Sequence, residues 1–163
     1  MHRFFFRIMD VLDWIEKAKD YDTQKQLSEF AVSIIDDQNV IDVQRQQWEN
    51  DGEDSNGEII GIYKKSTEEL SMGLKRAGDP WNLNNTGDFW QKTYLNAVIK
   101  GKDLEFEYDS NGINKKELFA TIKKHGEIEN PTDIFGLVET YQIPFIKLIQ
   151  PKFINQLNEY YNV

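Results

Sequence analysis

A strict two-residue alternation over positions 103–109 constrains the fold of this chain more than any other feature. Every second residue is apolar, and those between are all acidic. Successive side chains of a β-strand point to opposite faces, so this pattern predicts a half-buried strand. Residues 89–99 also alternate, and the short Gly-containing loop 100–102 joins the two segments. The sequence therefore predicts an antiparallel β-hairpin. Its second strand presents Leu104, Phe106 and Tyr108 on one face.

Apolar residues at helical spacing dominate both ends of the chain. The spacing predicts one helix over the first residues, with Ile8, Val11, Leu12 and Ile15 on one side. A second helix is predicted to begin near Thr23, with a stripe that runs through Leu27, Phe30, Ala31, Ile34 and Ile35 and extends to Ile41 and Trp48.

The C-terminal half carries two more predicted helices. Leu118 and Ile122 indicate a short helix that ends near His125 and Gly126. The last helix starts near Pro144 and runs to the C-terminal tyrosines, and Pro151 is expected to kink or split it.

The order of these elements predicts the α+β class. N-terminal helices precede a long ordered loop over residues 58–85, a central antiparallel hairpin and a C-terminal Pro-kinked helix. We divide the chain into an N-terminal helical extension, 1–22, and a single α+β domain, 23–163.

Composition removes several classes of function. The sequence has no cysteine, which excludes disulfides, thiolate metal sites and cysteine nucleophiles. Its two histidines, His2 and His125, are too few and too far apart in the sequence for a His-rich metal site. The net charge is −9, and residues 36–58 hold eight acidic residues against Arg45 alone. Such a face repels nucleic acid. It is either a solvated surface, or a surface that meets a basic partner or mimics DNA. The start lacks the features of a signal peptide, and a soluble protein made in the cytoplasm is expected.

No motif predicts catalysis, a cofactor or a metal. Phosphate-binding glycine loops and the nucleophile elbow are absent. The loops at 51–57 and 107–112 lack the ligand spacing of an EF-hand. Asp88 is the best single candidate for an acid or a metal ligand, and a metal-dependent hydrolase would combine it with Glu107 and Asp109.

The stretch 83–90, Leu-Asn-Asn-Thr-Gly-Asp-Phe-Trp, is better explained as a structural corner. Asn and Gly tolerate positive φ, and the Thr86 hydroxyl is suited to capping. Phe89 and Trp90 would then start the first strand of the hairpin. On this interpretation Gly87 takes the turn conformation and Asp88 fixes how the strand begins.

This stretch resembles the L-x-x-T-G-x-[LF]-x-x-S signature of the tail-completion, or virion-morphogenesis, proteins of tailed bacteriophages. Leu83, Thr86, Gly87 and Phe89 match it, and Thr93 stands near the family's Ser. The later segment 134–137, Ile-Phe-Gly-Leu, is similar to the family's R-P-F-L-G-L motif, although Thr132 and Asp133 replace the Arg-Pro. The resemblance covers roughly residues 50–163.

The resemblance implies a non-enzymatic connector, neck or tail-completion protein that forms a homo-oligomeric ring at the head-to-tail junction. The ring would have six- or twelve-fold symmetry. Its neighbours would be portal, connector or tail proteins, and DNA would only pass through its channel. The protein would lie in the virion, assembled in the host cytoplasm, without contact to a membrane. The structural and interface residues would be Leu83, Thr86, Gly87, Asp88, Phe89, Trp90, Phe135, Gly136 and Leu137. The rival hypotheses are an acidic DNA-mimic inhibitor and, below it, the hydrolase.

Overall fold

The computed structural model describes residues 16–84 and 87–161, and within them the chain is an α+β fold. Residues 16–19 are helical, whereas the predicted apolar stripe from Ile8 to Ile15 lies outside the described residues. The further helices are α1 (Thr23–Ile35), α2 (Gln38–Asn50), α3 (Lys65–Leu70), α4 (Asp88–Gln91), α5 (Lys115–His125), a 3-10 helix (Pro131–Ile134) and α6 (Glu139–Tyr161). The strands are β1 (Thr93–Lys100) and β2 (Asp103–Ser110).

The predicted hairpin is confirmed. β1 and β2 pair antiparallel, from Thr93 opposite Ser110 to Lys100 opposite Asp103. Leu95 and Tyr108 face each other across the hairpin, and both are buried. The Tyr108 hydroxyl donates a hydrogen bond to the backbone oxygen of Val40 at 2.8 Å, which ties the inner face of the hairpin to α2.

The single helix predicted from Thr23 to Trp48 is wrong, because two helices occupy this segment. α1 ends at Ile35, and α2 begins again at Gln38. The Asp37 carboxylate accepts a hydrogen bond from the Asn39 backbone N–H at 2.9 Å and so caps the N-terminus of α2. A short acidic side chain at this position competes with the backbone hydrogen bonds of a continuing helix and favours the start of a new one.

The prediction that Phe89 and Trp90 start the first strand is also wrong. Both residues lie in the short helix α4, and β1 begins at Thr93. The backbone N–H of Gln91 donates to the Gly87 oxygen at 2.9 Å, which closes the helical turn. Residues 89–92 read Phe-Trp-Gln-Lys and form a single helical turn, which is too short to show a helical period in the sequence.

Pro151 does not split the C-terminal helix. Pro144 and Pro151 both lie inside α6, which is continuous from Glu139 to Tyr161. Both prolines are exposed. The carbonyls that each proline leaves without a helical donor belong to Thr140 and Lys147, which are also exposed, so water can satisfy them.

The buried side chains form two clusters. Cluster one comprises Trp48, Ile60, Leu83, Phe89, Ile122, Ile128 and Ile134. Cluster two comprises Phe30, Ile34, Val40, Ile41, Leu95 and Tyr108, and the inner face of α6 packs against it. Phe135 packs against both clusters and therefore joins them.

Candidate functional site

The predicted corner begins with Gly87, whose φ of 80° is in the left-handed region. This conformation favours glycine and reverses the chain into α4. The next residue, Asp88, accepts a hydrogen bond from the Ile113 backbone N–H at 2.7 Å. Asp88 thus connects the start of α4 with the segment that follows β2. Thr86, the predicted cap, lies outside the described residues.

The backbone oxygen of Phe89 is a second link between the two ends of the hairpin. It accepts hydrogen bonds from the hydroxyls of Thr93 at 2.9 Å and Ser110 at 2.8 Å, and both of these side chains are buried. Gly112 lies against the same turn, since a Cβ built on it would fall 2.9 Å from the Phe89 Cα. Only a residue without a side chain allows this approach.

Asn82 organises the chain just before the corner. Its side-chain oxygen accepts hydrogen bonds from the Lys75 ammonium at 2.7 Å, the Tyr63 hydroxyl at 3.0 Å and the Asn84 backbone N–H at 3.1 Å. Its backbone oxygen accepts from the Trp90 indole N–H at 3.1 Å. Sequence reasoning did not single out Asn82, because a polar residue in a loop gives no signal of the partners it will gather.

Lys75 is held in place by uncharged groups. Its ammonium also donates to the Asn84 backbone oxygen at 2.6 Å and lies 5.3 Å from the centre of the Tyr63 ring. Partial burial lowers the pKa of Lys75. Among the residues that the structure describes, the lysine thus anchors the loop through carbonyl and π contacts rather than through an ion pair.

The two motifs that carry the resemblance meet in the interior. The ring centroids of Phe89 and Phe135 lie 5.9 Å apart. The Trp48 ring lies 5.4 Å from the Phe89 ring and 6.1 Å from the Phe135 ring. Leu83 belongs to the same cluster, with 6% of its surface exposed. The corner and the Phe-Gly-Leu segment are therefore parts of one packing unit.

Two fully buried glutamines of α2 bind the backbone of the Phe-Gly-Leu segment. The Gly136 N–H donates to the Gln44 side-chain oxygen at 2.8 Å, and the Val138 N–H donates to that of Gln47 at 3.1 Å. The Gln47 amide donates to the Gly136 oxygen at 3.1 Å and to the Asp54 oxygen at 3.0 Å. We call this arrangement the glutamine clamp.

The glutamine clamp was not predicted from the sequence. Gln44 and Gln47 lie three residues apart on a helix, but nothing in their pattern separates a buried amide from a solvated one. The Trp48 indole N–H adds a further bond to this segment, donating to the Ile134 oxygen at 2.9 Å.

Gly136 is required by its surroundings as well as by its backbone. Its φ is 119°, and a Cβ built on it would fall 2.9 Å from the Ser55 Cβ. The Ser55 N–H in turn donates to the Asp133 oxygen at 2.7 Å, so the acidic loop after α2 lies directly against this segment. Leu137, the last residue of the motif, packs against cluster two.

Half of the carboxylates in the acidic stretch 36–58 contact groups of the chain itself. Asp37 caps α2 and pairs with Lys152, and Asp42 pairs with Arg45 at 2.6 Å. Asp54 is buried and accepts hydrogen bonds from two backbone N–H groups of its own loop, and the Asp51 carboxylate bonds to the Tyr141 side chain. These internal contacts leave fewer carboxylates of this stretch for binding a basic partner protein.

The residues proposed for a hydrolase do not form a metal site. No group of three or more potential ligands suited to a metal ion occurs among residues 16–84 and 87–161. Asp109 bonds instead to the Lys115 ammonium and the Tyr94 hydroxyl. Burial raises the pKa of Asp109, but the hydrogen bonds from Lys115 and from its own neighbour Ser110 outweigh burial and lower it.

An exposed apolar rim borders a groove beside the corner. We define the rim as Leu70, Met72 and Leu74, which are 85%, 91% and 84% exposed. The groove has a volume of about 650 Å³. Its inner wall is built from Tyr63, Lys75, Trp81, Leu83, Phe89 and Leu118. The corner residues Leu83 and Phe89 and the three rim residues thus line the same groove.

In comparisons with known proteins, no family model, no curated protein and no solved structure matches the chain. Within the part of the chain that the structure describes, no helix has the length and apolar character needed to cross a membrane.

Proposed function

We propose that this chain is a structural subunit of a tailed-phage virion that joins copies of itself into a ring at the head-to-tail junction and has no catalytic role. The observation that carries the proposal is the apolar rim of Leu70, Met72 and Leu74 beside the groove. The order and spacing of the two motifs, which resemble those of tail-completion proteins, supply the class of virion protein.

The rim is unusual as a continuous surface. A single exposed leucine or methionine is ordinary, but one at the end of α3 and two in the turn that follows it, all lining the same groove, form a patch of the kind that marks protein contacts. Burying one such side chain contributes roughly 1.5–3 kcal/mol. A contact that covers all three therefore contributes several kcal/mol of favourable transfer energy, which offsets part of the entropy lost on association.

Contacts in the rest of the site hold the residue that follows the rim and the lining of the groove. Asn82 and Lys75 anchor the end of the loop, and Phe89, which lines the groove, packs against the rings of Trp48 and Phe135. A surface that needs no reordering pays less entropy when it binds. In a ring the contact is heterologous, so the rim of one copy meets a different surface of the next copy.

Sedimentation velocity and electron microscopy of the full chain test self-assembly. We expect closed rings for the parent, and loss of the rings when Met72→Glu and Leu74→Glu are combined, because two charges would have to be buried. The matched control is Val32→Glu on α1, where the parent valine is 66% exposed outside the rim. A parent that stays monomeric at all concentrations, or a double variant that assembles like the parent, would contradict the proposal.

The place in the virion needs a separate test. Antibodies raised against the purified chain should label the neck of virions of the phage that encodes it. Label on the capsid shell, or no label on virions, would refute the position at the head-to-tail junction while leaving the assembly result untouched.

A further inference from the structure

The outer face of α6 is the second apolar surface of the described chain. Ile143, Ile146 and Ile154 are 52%, 51% and 46% exposed. Their spacing places them on one side of the helix, next to the stripe that packs against cluster two. No residue anywhere in α6 is fully buried. We call the side formed by these three residues the isoleucine face.

The N-terminal part of the chain is fixed to the C-terminal end of the same helix. The Tyr160 hydroxyl donates a hydrogen bond to the Lys17 backbone oxygen at 3.2 Å. The Tyr21 ring lies edge-on to Tyr160 at 5.4 Å and stacks on Tyr161 at 6.1 Å. The described residues Lys17 and Tyr21, which follow the first fifteen residues of the sequence, therefore lie beside the C-terminal end of α6.

These residues have the composition needed to cover such a face. They include Phe4, Phe5 and Phe6 and the apolar positions Ile8, Val11, Leu12 and Ile15. They also contain Asp10 and Asp13, whose charges complement Lys147, an exposed lysine one residue after Ile146.

The lengths agree as well. Ile146 lies about 21 Å along α6 from Tyr160, at 1.5 Å per residue. The chain from Lys17 back to Phe4 spans about 20 Å as a helix and about 45 Å when extended. When extended, the segment is long enough to reach the whole isoleucine face, and as a helix it is long enough to pass Ile154 and ends just short of Ile146.

We propose that residues 4–15 bind the isoleucine face of α6 in the same molecule. Anchoring at Lys17 and Tyr21 gives this segment a high effective concentration at the face, which a second copy does not have. The proposal is independent of ring formation, since it concerns a different surface from the rim.

The absence of cysteine from the sequence allows a direct test by site-specific crosslinking. Ile146→Cys and Ile154→Cys are each labelled with a benzophenone maleimide in the full chain, irradiated, digested and analysed by mass spectrometry. The matched control is Ile113→Cys, because Ile113 is 88% exposed and follows β2 rather than lying on α6. Mixing light and heavy isotope forms of the chain separates crosslinks within one molecule from crosslinks between two.

We expect crosslinks from positions 146 and 154 to peptides of residues 1–15 within one molecule, and none from position 113. Adding Leu12→Asp to Ile154→Cys should abolish them, because a buried charge disfavours the contact. Crosslinks only between light and heavy chains would show that a second copy covers the face. That result, or the absence of any crosslink to residues 1–15, or equal yield from position 113, would overturn the proposal.

Discussion

The rings of Phe89 and Phe135 lie 5.9 Å apart between centroids, and Trp48 packs against both. One ring comes from the turn that precedes the hairpin and the other from the segment that precedes the last helix. Their contact joins two short motifs that are far apart in the sequence, and it connects the groove wall with both core clusters.

Removal of one ring should lower stability substantially. We expect Phe135→Ala to reduce the free energy of unfolding by about 3 kcal/mol, because truncation of a packed aromatic loses transfer energy and leaves a cavity. A double-mutant cycle with Phe89→Ala should give a coupling of about 0.5–1.5 kcal/mol for the ring pair. Urea denaturation measures both, and the exposed Ile113→Ala is the control. Strict additivity of the two substitutions would show that the rings do not interact.

A charge in the glutamine clamp should be costly. In Gln47→Glu the carboxylate replaces the amide that donates to the oxygens of Glu53, Asp54 and Gly136. We expect the free energy of unfolding to fall by more than about 3 kcal/mol at neutral pH. The ionised carboxylate has no proton to donate, so three carbonyl oxygens would face a buried negative charge instead of a hydrogen-bond donor. The loss should shrink as the pH falls, since this environment raises the pKa of the new carboxyl and protonation restores a donor.

Gln46→Glu is the matched control for the clamp, because Gln46 is the adjacent residue and is exposed. Denaturant unfolding at several pH values should show almost no effect for this variant. Equal effects of the two substitutions would mean that the clamp adds nothing to stability.

The two motif glycines should respond differently to alanine. Gly87 has space for a Cβ, because the nearest atom, the Gln91 side-chain nitrogen, would lie 3.5 Å away. We therefore expect Gly87→Ala to cost only the conformational energy of a positive φ, about 1–2 kcal/mol. Gly136→Ala meets a comparable backbone cost and also the contact with Ser55, so it should be clearly more destabilising. Gly87→Val should exceed Gly87→Ala and damage folding or assembly.

Thermal unfolding distinguishes the backbone cost of Gly136→Ala from its steric part. Ser55→Gly should restore some of the stability lost in Gly136→Ala and none of that lost in Gly87→Ala. If it restores neither, the close approach of the two segments is not the cause.

The pair between Asp37 and Lys152 should give a small pH-dependent term. The hydrogen bond from the Lys152 side chain lowers the pKa of Asp37 in the folded chain. A depressed pKa stabilises the fold above the unfolded value, near 3.9, and this contribution is lost as the pH falls through the folded pKa. Asp37→Asn keeps the helix cap but removes the charge.

We therefore expect Asp37→Asn to cost at most about 1 kcal/mol near neutral pH, since Lys152 is partly exposed, and to match the parent in acid. Asp36→Asn is the control, because the neighbouring Asp36 is exposed and ends α1. Unfolding free energies measured between pH 2 and 7 test this. If the free energies of unfolding of Asp37→Asn and the parent differ more in acid than at neutral pH, this mechanism is wrong, because a carboxylate with a lowered pKa stabilises the fold only while it is ionised.

Local sequence pattern was sufficient for the parts of the fold that are set by neighbours in the chain. The alternation over residues 103–109 predicted the hairpin, and the Leu118 and Ile122 spacing predicted α5 with its end at His125. Both signals arise because one face of the element is buried.

The pattern failed where side chains bind the backbone. Asp37 restarts a helix, and Gly87 turns Phe89 into α4, although the apolar residues on either side continue a regular period. Residues such as Asn82 and Gln44 depend on partners that are distant in sequence, and a polar residue looks the same in sequence whether it is buried or solvated. The sequence therefore drew attention to the apolar and glycine positions of the corner and to Asp88, and it gave no signal for Asn82, Gln44 or Gln47.

The glutamine clamp also sets an order of events during synthesis. Gln44 and Gln47 leave the ribosome long before Gly136 and Val138, the residues that they bind. At roughly 5–20 residues per second, these amides spend several seconds without their native partners, and Trp48 waits equally long for Ile134. The centre of the molecule can close only when nearly the whole chain has emerged, so the newly made N-terminal half depends on its C-terminal residues to become stable.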